Sequence, residues 1–333
     1  MKTAVVILNF NGKNWLEEFL PSVTANSDEA DIYVIDNASS DDSVPFLKDK
    51  FPQINIIENE LNYWFAGGYN EGLKKITADY YILLNSDVEV TENWITPVIQ
   101  LLESDENIVA AQPKILAYHN RQYFEHAGAG GGMIDKNGYP FCRGRIFDRV
   151  EKDEGQYDDT TEIFWASGAC LFIKAKSFHE FGGFDASYLA HMEEIDLCWR
   201  MKNSGKKIMY CGSSSVYHVG GGTLNYINPQ KTFLNFRNSL FTLYKNLDKG
   251  LFIKILTRLF LDGIAGTKFL FSGKIRHIGS ILKAHFDFYK KISHLKTERK
   301  QMTFKSFTGM KGMYTKNIVW QHFGRKKKTF RDL

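Results

Sequence analysis

The chain has 333 residues, of which 44% are hydrophobic and 24% charged; it can bury a sizeable core, and global disorder is excluded. Its net charge of +4 conceals a contrast: residues 1–248 carry 22 Lys and Arg against 34 Asp and Glu, whereas residues 249–333 carry 20 against 4. That contrast sets a boundary near residue 248 and gives the basic end an anionic surface as its expected partner.

In chain order, Thr3–Leu8 is apolar and rich in β-branched residues, as expected of a strand buried on both faces. Asn9-Phe10-Asn11-Gly12 breaks it, and Trp15, Leu16, Phe19 and Leu20 follow at helical spacing. Ile32–Ile35 predicts a second strand ended by Asp36-Asn37, and Ser39–Asp42 offers caps for a helix through Val44–Leu47. Ile54–Ile57 predicts a third strand, Gly67–Ile76 a helix entered through a glycine pair, and Tyr80–Leu84 a fourth strand ending in Asn85-Ser86-Asp87. Strands alternating with helices predict an α/β fold with a mostly parallel central sheet flanked by helices.

Ligands of such sheets bind beyond the carboxyl ends of the strands. Asn9, Asp36 and Asp87 all fall there, so they are expected on one rim. Each alone is an ordinary turn former; the convergence of three carries the functional reading. No G-x-G-x-x-G follows the first strand and no Walker lysine motif occurs, which disfavours a dinucleotide-binding or P-loop enzyme. An acidic rim suits a divalent cation, Mg²⁺ or Mn²⁺, held against a diphosphate.

At this point the sequence resembles glycosyltransferase family 2, with its GT-A fold, and most closely its bacterial rhamnosyltransferase-like branch. The resemblance spans about residues 3–245. It rests on Val5–Gly12, Val34–Asp41, Phe65-Ala66-Gly67-Gly68-Tyr69-Asn70, Leu83–Asp87, Trp165–Cys170, Gly182–Asp185 and Glu193–Arg200. The resemblance implies an inverting, metal-dependent transferase that takes a sugar from a dTDP-, UDP- or GDP-linked donor. The implied acceptor is a saccharide or lipid-linked saccharide in cell-surface polysaccharide synthesis. It also implies that Asn9, Asn11, Asp36 and Asn37 bind the nucleoside, and that Gly67, Gly68 and Asn70 line the donor site. Asn85-Ser86-Asp87 stands at the family's Asp-x-Asp position, leaving Asp87 as the main carboxylate for a metal. Trp64 stands where relatives usually carry Gly; it either narrows the donor pocket or packs outward.

Further along, Asn137-Gly138 predicts a hairpin turn, and the polar stretch Arg149–Thr161 a surface loop with the character of a lid. On a helix, Glu193 and Asp196 share a face and Glu194 points aside. The family places its general base in an acidic pair; here Glu194 falls on the base position with Glu193 in reserve, and Asp196 with Arg200 reads as a supporting ion pair. His218 is implied as a metal ligand near the diphosphate, followed by a glycine-rich loop, Val219–Thr223, that could close over the donor.

In Leu251–Phe271, Lys254, Arg258 and Asp262 recur every four residues as a narrow polar stripe on an otherwise apolar helix. Its apolar face has three candidate partners: the catalytic domain, another subunit, or a membrane interface. The expected units are 1–115 (donor half), 116–248 (acceptor and catalytic half) and 249–333 (basic amphipathic helices). The four cysteines form no C-x-x-C pair, and no run of 18 apolar residues occurs. A cytoplasmic chain, peripheral on the inner face of the cell membrane and binding no nucleic acid, is the expectation. A non-catalytic nucleotide-sugar or glycan-binding protein, or a membrane-associated scaffold, stands as the alternative.

Overall fold

The computed structural model describes residues 1–220 and 228–333. The glycine-rich loop expected after His218 lies, from Gly221 onward, outside the described residues. The chain opens with β1 (Thr3–Asn9), α1 (Lys13–Ala25), β2 (Asp31–Asp36), α2 (Ser43–Lys50), β3 (Asn55–Glu58), α3 (Trp64–Leu73) and β4 (Tyr80–Asn85). Strands β3, β2, β1 and β4 lie side by side and parallel. Alternate residues of β1 enter opposite cores, Ala4 and Val6 one and Val5 and Ile7 the other, which is why an unbroken apolar run makes this strand.

The other half of the sheet is mixed. After β5 (Val88–Val90), α4 (Thr96–Glu103) and β6 (Ile108–Ala117), a small second sheet forms. It holds β7 (Gly132–Asp135), β8 (Pro140–Cys142), β9 (Arg145–Ile146) and β10 (Arg149–Val150). The chain then returns as β11 (Thr160–Ile163) and β12 (Cys170–Lys174). Arriving from this excursion rather than through a crossover helix, β12 runs antiparallel to both β4 and β6. Next come α5 (Ala175–Glu180), α6 (Glu193–Asn203) and β13 (Lys207–His218), which is parallel to β6 and antiparallel to β5 and β11. The helices α7 (Pro229–Asn246), α8 (Leu251–Phe271) and α9 (Ile275–Lys300) follow, then β14 (Met313–Tyr314), which pairs with β7.

Asn137-Gly138 makes the β7–β8 turn as expected, with Asp135 accepting from the backbone N–H groups of Asn137 and Tyr139. Two expectations change. The segment around Arg149–Thr161 is pinned rather than lid-like: Tyr157 is buried, its carbonyl accepts from the Tyr210 hydroxyl at 2.8 Å, and the buried Lys114 and Arg143 hold Asp153, Asp158 and Asp159. Helix α3 begins at Trp64, so the glycine pair lies inside it rather than at its entrance.

The region after residue 300 packs back on the body. Phe307 stacks on Trp199 with ring centroids 4.7 Å apart, and the N–H of Ile318 donates to Asp135 at 2.9 Å. One hydrophobic cluster accordingly runs from Ala4 to Met310.

Candidate active site

The parallel register sets Asn9 beside Asp36 and Leu8 beside Asn85, which brings the ends of β1, β2 and β4 to one edge. There Asp36 is buried and both its oxygens are engaged, one by the Asn9 amide at 3.0 Å and one by the Ser39 N–H at 2.9 Å. Asn11, held in the left-handed region at φ 50°, accepts from the Ser40 N–H at 2.7 Å and donates its own N–H to the Ser39 hydroxyl at 2.9 Å. The β1–α1 and β2–α2 loops are thus laced together, and the buried Oδ1 of Asn9 keeps no partner, an acceptor left for a ligand.

The other members of the expected donor set do different work. Asn37 receives N–H groups from Asn59 and Tyr63 and donates to Asn62 and the Trp64 carbonyl, so its amide holds the approach to α3. Asn70 exchanges two hydrogen bonds with the Phe184 backbone, at 2.7 and 3.0 Å, and so clamps α3 to the second half of the chain. Gly67 and Gly68 are buried spacers; a side chain on Gly68 would meet Asn37 and Leu8 at 2.9 Å. Trp64 packs outward, 44% exposed, with its backbone at φ 60°. Glycine would adopt that conformation without strain, whereas a side chain disfavours it.

Beside this edge, pairing of β5 with β13 sets Val88 opposite His218. His218 Nε2 lies 3.2 Å from an Asp87 oxygen and 3.4 Å from the Asn85 amide nitrogen. On the far side of the ring, Nδ1 lies 3.2 Å from Glu125. Sequence reasoning missed Glu125, which no motif marks and which reaches the site because the chain beyond β6 folds back on it, the Glu125 N–H donating to Ile115, while β6 pairs with β13. Burial lowers the His218 pKa, but Asp87 and Glu125 outweigh it and push it up to about 10. Burial raises the Glu125 pKa, and His218 overrides it, down to about 2. Gly220, at φ 75°, admits Glu125 to within 2.4 Å of where a Cβ would stand.

Among the described residues no group of three His, Cys, Asp or Glu forms a metal cluster. Without a cation, Asp87 and Glu125 favour a proton on His218; a cation beside Asp87 would take the place of that proton on Nε2, so the two side chains fit one whose remaining ligands are phosphate and water oxygens. Glu125 behind the imidazole is the usual orienting partner of a ligating histidine.

The acidic pair opens α6. Three residues just before it, Leu189, His191 and Met192, adopt positive φ of 67°, 69° and 74°. Such strain persists only where surrounding structure enforces it. Here α7 does so: the Asn238 amide donates to the carbonyls of Tyr188, Ala190 and His191 at 2.7–3.0 Å, and Arg237 donates to Ser187 and Tyr188. Glu193 and Asp196 turn inward and are buried, while Glu194 retains partial exposure, as helical geometry expects. Asp196 pairs with Arg200 at 2.8 Å and also meets Lys245, Asn246 and Tyr188.

Each glutamate keeps one buried oxygen without a hydrogen bond. Burial pushes Glu194 up to about 7, and burial together with Glu194 pushes Glu193 well above the usual carboxylate range. A side chain built on Gly168 would lie 4.0 Å from the Glu194 Cβ and 3.6 Å from the Phe65 ring, while Asn85 N–H donates to Ala169 at 3.0 Å. The segment Gly168-Ala169 therefore bridges the Asn85–Asp87 edge and the acidic pair. A carboxyl raised by burial, with Gly168-Ala169 lying between it and the Asn85–Asp87 edge, is an arrangement suited to proton abstraction.

Solved structures share this fold. GalNAc-T7 with UDP, GalNAc and Mn²⁺ superposes with a TM-score of 0.64 at 18% identity, over 92% of this chain and 55% of that one. The mannosyltransferase PcManGT from Pyrobaculum calidifontis, with GDP-Man and Mn²⁺, gives 0.54 at 11% identity, over 86% and 87%. Among curated relatives, the N-acetylglucosaminyl-diphospho-decaprenol L-rhamnosyltransferase of Mycobacterium tuberculosis is 23% identical over 230 residues, 64% of this chain and 75% of that protein. Rhamnosyltransferase WbbL of Escherichia coli K12 is 22% identical over 231 residues, 64% and 82% respectively. The family model "Glycosyl transferase family 2" matches residues 4–182, more than half of the chain, taking in the ends of β1 to β12 and leaving out β13 and β14. With the GT-A-like fold and the strand-end site in place, that match shows that the chain belongs to glycosyl transferase family 2.

Proposed function

We propose that this glycosyltransferase is an inverting, metal-dependent enzyme that moves a sugar from a nucleotide-sugar donor to a saccharide or lipid-linked saccharide acceptor in cell-surface polysaccharide synthesis. The observation that carries the reading is the partly exposed Glu194, held up to about 7 and joined through Gly168-Ala169 to the Asn85–Asp87 edge. The rhamnosyltransferase relatives favour a deoxyhexose donor, and the first of them, by its name, acts on a diphosphate-linked polyprenol.

In this reading Asn9, Asn11 and Asp36 receive the nucleoside, with the unpartnered Asn9 Oδ1 accepting from base or ribose. Asn37, Gly67, Gly68 and Asn70 shape the donor wall from behind. Asp87 and His218 would hold Mg²⁺ or Mn²⁺, which when bound neutralises charge on a departing diphosphate. Glu194 takes the proton of the attacking acceptor hydroxyl. Burial and the neighbouring Glu194 disfavour the ionised form of Glu193, which opposes two charges on the pair. The Asp196–Arg200 pair fixes the helix that presents both. No covalent intermediate is needed in a single displacement.

The test is a transfer and hydrolysis assay over dTDP-, UDP- and GDP-sugars with Mn²⁺, using wild type and Asp87→Asn. The reading expects turnover of at least one donor, reduced at least about 100-fold by the substitution. Tight diphosphate binding with no turnover of any donor across an acceptor panel would point instead to a non-catalytic binding protein.

A further inference from the structure

Helix α8 is inverted. Its polar stripe faces the protein: Arg258 and Asp262 are 3% and 1% exposed. Its apolar side faces outward, with Phe252 at 75%, Phe260 at 69% and Phe271 at 90% exposure. The inward stripe is engaged on most of its polar atoms, the buried Arg258 Nε being left without a hydrogen bond. Arg258 donates to the carbonyl of Gly138 at 2.9 Å and the hydroxyl of Ser239 at 2.6 Å, and covers the Tyr139 ring; Asp262 meets His285 at 3.0 Å and the Tyr139 hydroxyl at 3.4 Å. These inward polar contacts fix the rotation of the helix; Leu251, Ile255 and Leu259 pack on the main core, while Phe252, Ile253, Leu256, Phe260 and Ile264 stay exposed. Helix α9 is joined to α8 by a short turn and adds Leu282 and Phe286, 64% and 72% exposed.

The same hairpin carries exposed Lys268, Lys274, Arg276, Lys283, Lys290 and Lys291. Apolar side chains amid cations of one sign fit an anionic bilayer surface, where the rings enter the interface and the cations meet headgroups. A second copy fits poorly, because a two-fold contact would press like charges together in a place where interfaces shed charge. Among the described residues no helix is long and apolar enough to cross a membrane.

The geometry points to the exposed face of α8 and α9 as the surface by which the enzyme lies on an anionic lipid bilayer. It deepens the proposed function, resting on that reading only for the lipid-linked acceptor, and its test reads binding rather than transfer. The docked helix also reaches the site: Arg258 holds Ser239, whose neighbour Asn238 holds the turn before Glu194.

The experiment is flotation of the full chain with phosphatidylcholine vesicles, with and without about 30 mol% phosphatidylglycerol. Wild type and Glu194→Gln should bind the anionic vesicles alike, at least about tenfold more tightly than the neutral ones. Phe252→Glu/Phe260→Glu/Phe286→Glu should lose at least about tenfold of that binding with an unchanged melting temperature, since these side chains pack on nothing. Should that variant unfold, Lys283→Glu/Lys290→Glu must still abolish the preference for anionic lipid. The assignment is overturned if wild type ignores anionic vesicles, if a folded triple variant binds as wild type does, or if the double charge variant keeps the preference. It is equally overturned if wild type is a stable dimer at micromolar concentration that the triple variant dissolves. Vesicle binding by a chain that transfers no sugar would leave this surface standing while the enzymatic reading falls.

Discussion

The amide of Asn238, in the middle of α7, donates to the carbonyl of His191 at 2.7 Å, three residues before Glu194, the proposed base. Asn238 is fully buried and serves two further carbonyls of the same turn. Its replacement by leucine should remove this donor from the Ala190 and His191 carbonyls, Tyr188 keeping Arg237, and cost about 1–3 kcal/mol of stability. Because the turn presents Glu194 and not the donor edge, kcat should fall while donor KM stays near the wild-type value. Denaturant unfolding and steady-state kinetics check the two halves of this expectation.

The raised Glu194 carboxyl gives two pH dependences. As the base it must be ionised, so the transfer rate should rise through about pH 7 and level off above. For stability the sign is opposite. The folded state keeps this proton at pH values where the unfolded chain has already released it, so the site loses stability as pH rises from the ordinary glutamate range through about 7. Glu194→Gln should therefore raise the melting temperature at about pH 8.5 and have little effect at about pH 4. Thermal melts of both proteins across that range test the sign.

Gly72 carries α3 against β2 so closely that an added Cβ would lie 2.2 Å from the Ile35 side chain, one residue before Asp36. Gly72→Ala should cost about 1–3 kcal/mol through overpacking. Pairing it with Ile35→Ala, which frees the space, should recover part of the loss. A double-mutant cycle in urea measures that coupling.

Trp64 combines an exposed ring with a left-handed backbone. Trp64→Gly should be more stable than Trp64→Ala by about 1 kcal/mol, because both remove the same ring and only alanine keeps the conformational strain. Equilibrium unfolding of the two variants, compared with each other, gives the figure directly.

The first half of the fold was legible because unbroken apolar runs such as Thr3–Leu8 permit one assignment only, and the strand ends follow from it. The start of α3 was not, because Trp64 enters it in a conformation that no propensity anticipates, capped by an Asn62 side chain accepting its N–H at 2.8 Å. The Asp196–Arg200 pair was legible from helical spacing alone. Glu125 was hidden because its partner His218 lies 93 residues away and meets it only once the chain folds back on β6 and β6 pairs with β13. The polar stripe of α8 was legible, but its direction was not: Arg258 and Asp262 face inward because partners for them exist on the β7–β8 turn, α7 and α9, and sequence periodicity carries no information about partners.

The central claim is that Glu194 accepts the acceptor's proton at a donor site built separately by the ends of β1, β2 and β4. Single-turnover transfer by Glu194→Gln, measured alongside donor affinity by calorimetry with Mn²⁺ present, tests it most directly. The account predicts donor affinity within about threefold of wild type and a transfer rate lower by about 10²–10⁴-fold. Transfer at the wild-type rate, or a loss explained wholly by weakened donor binding, would contradict it.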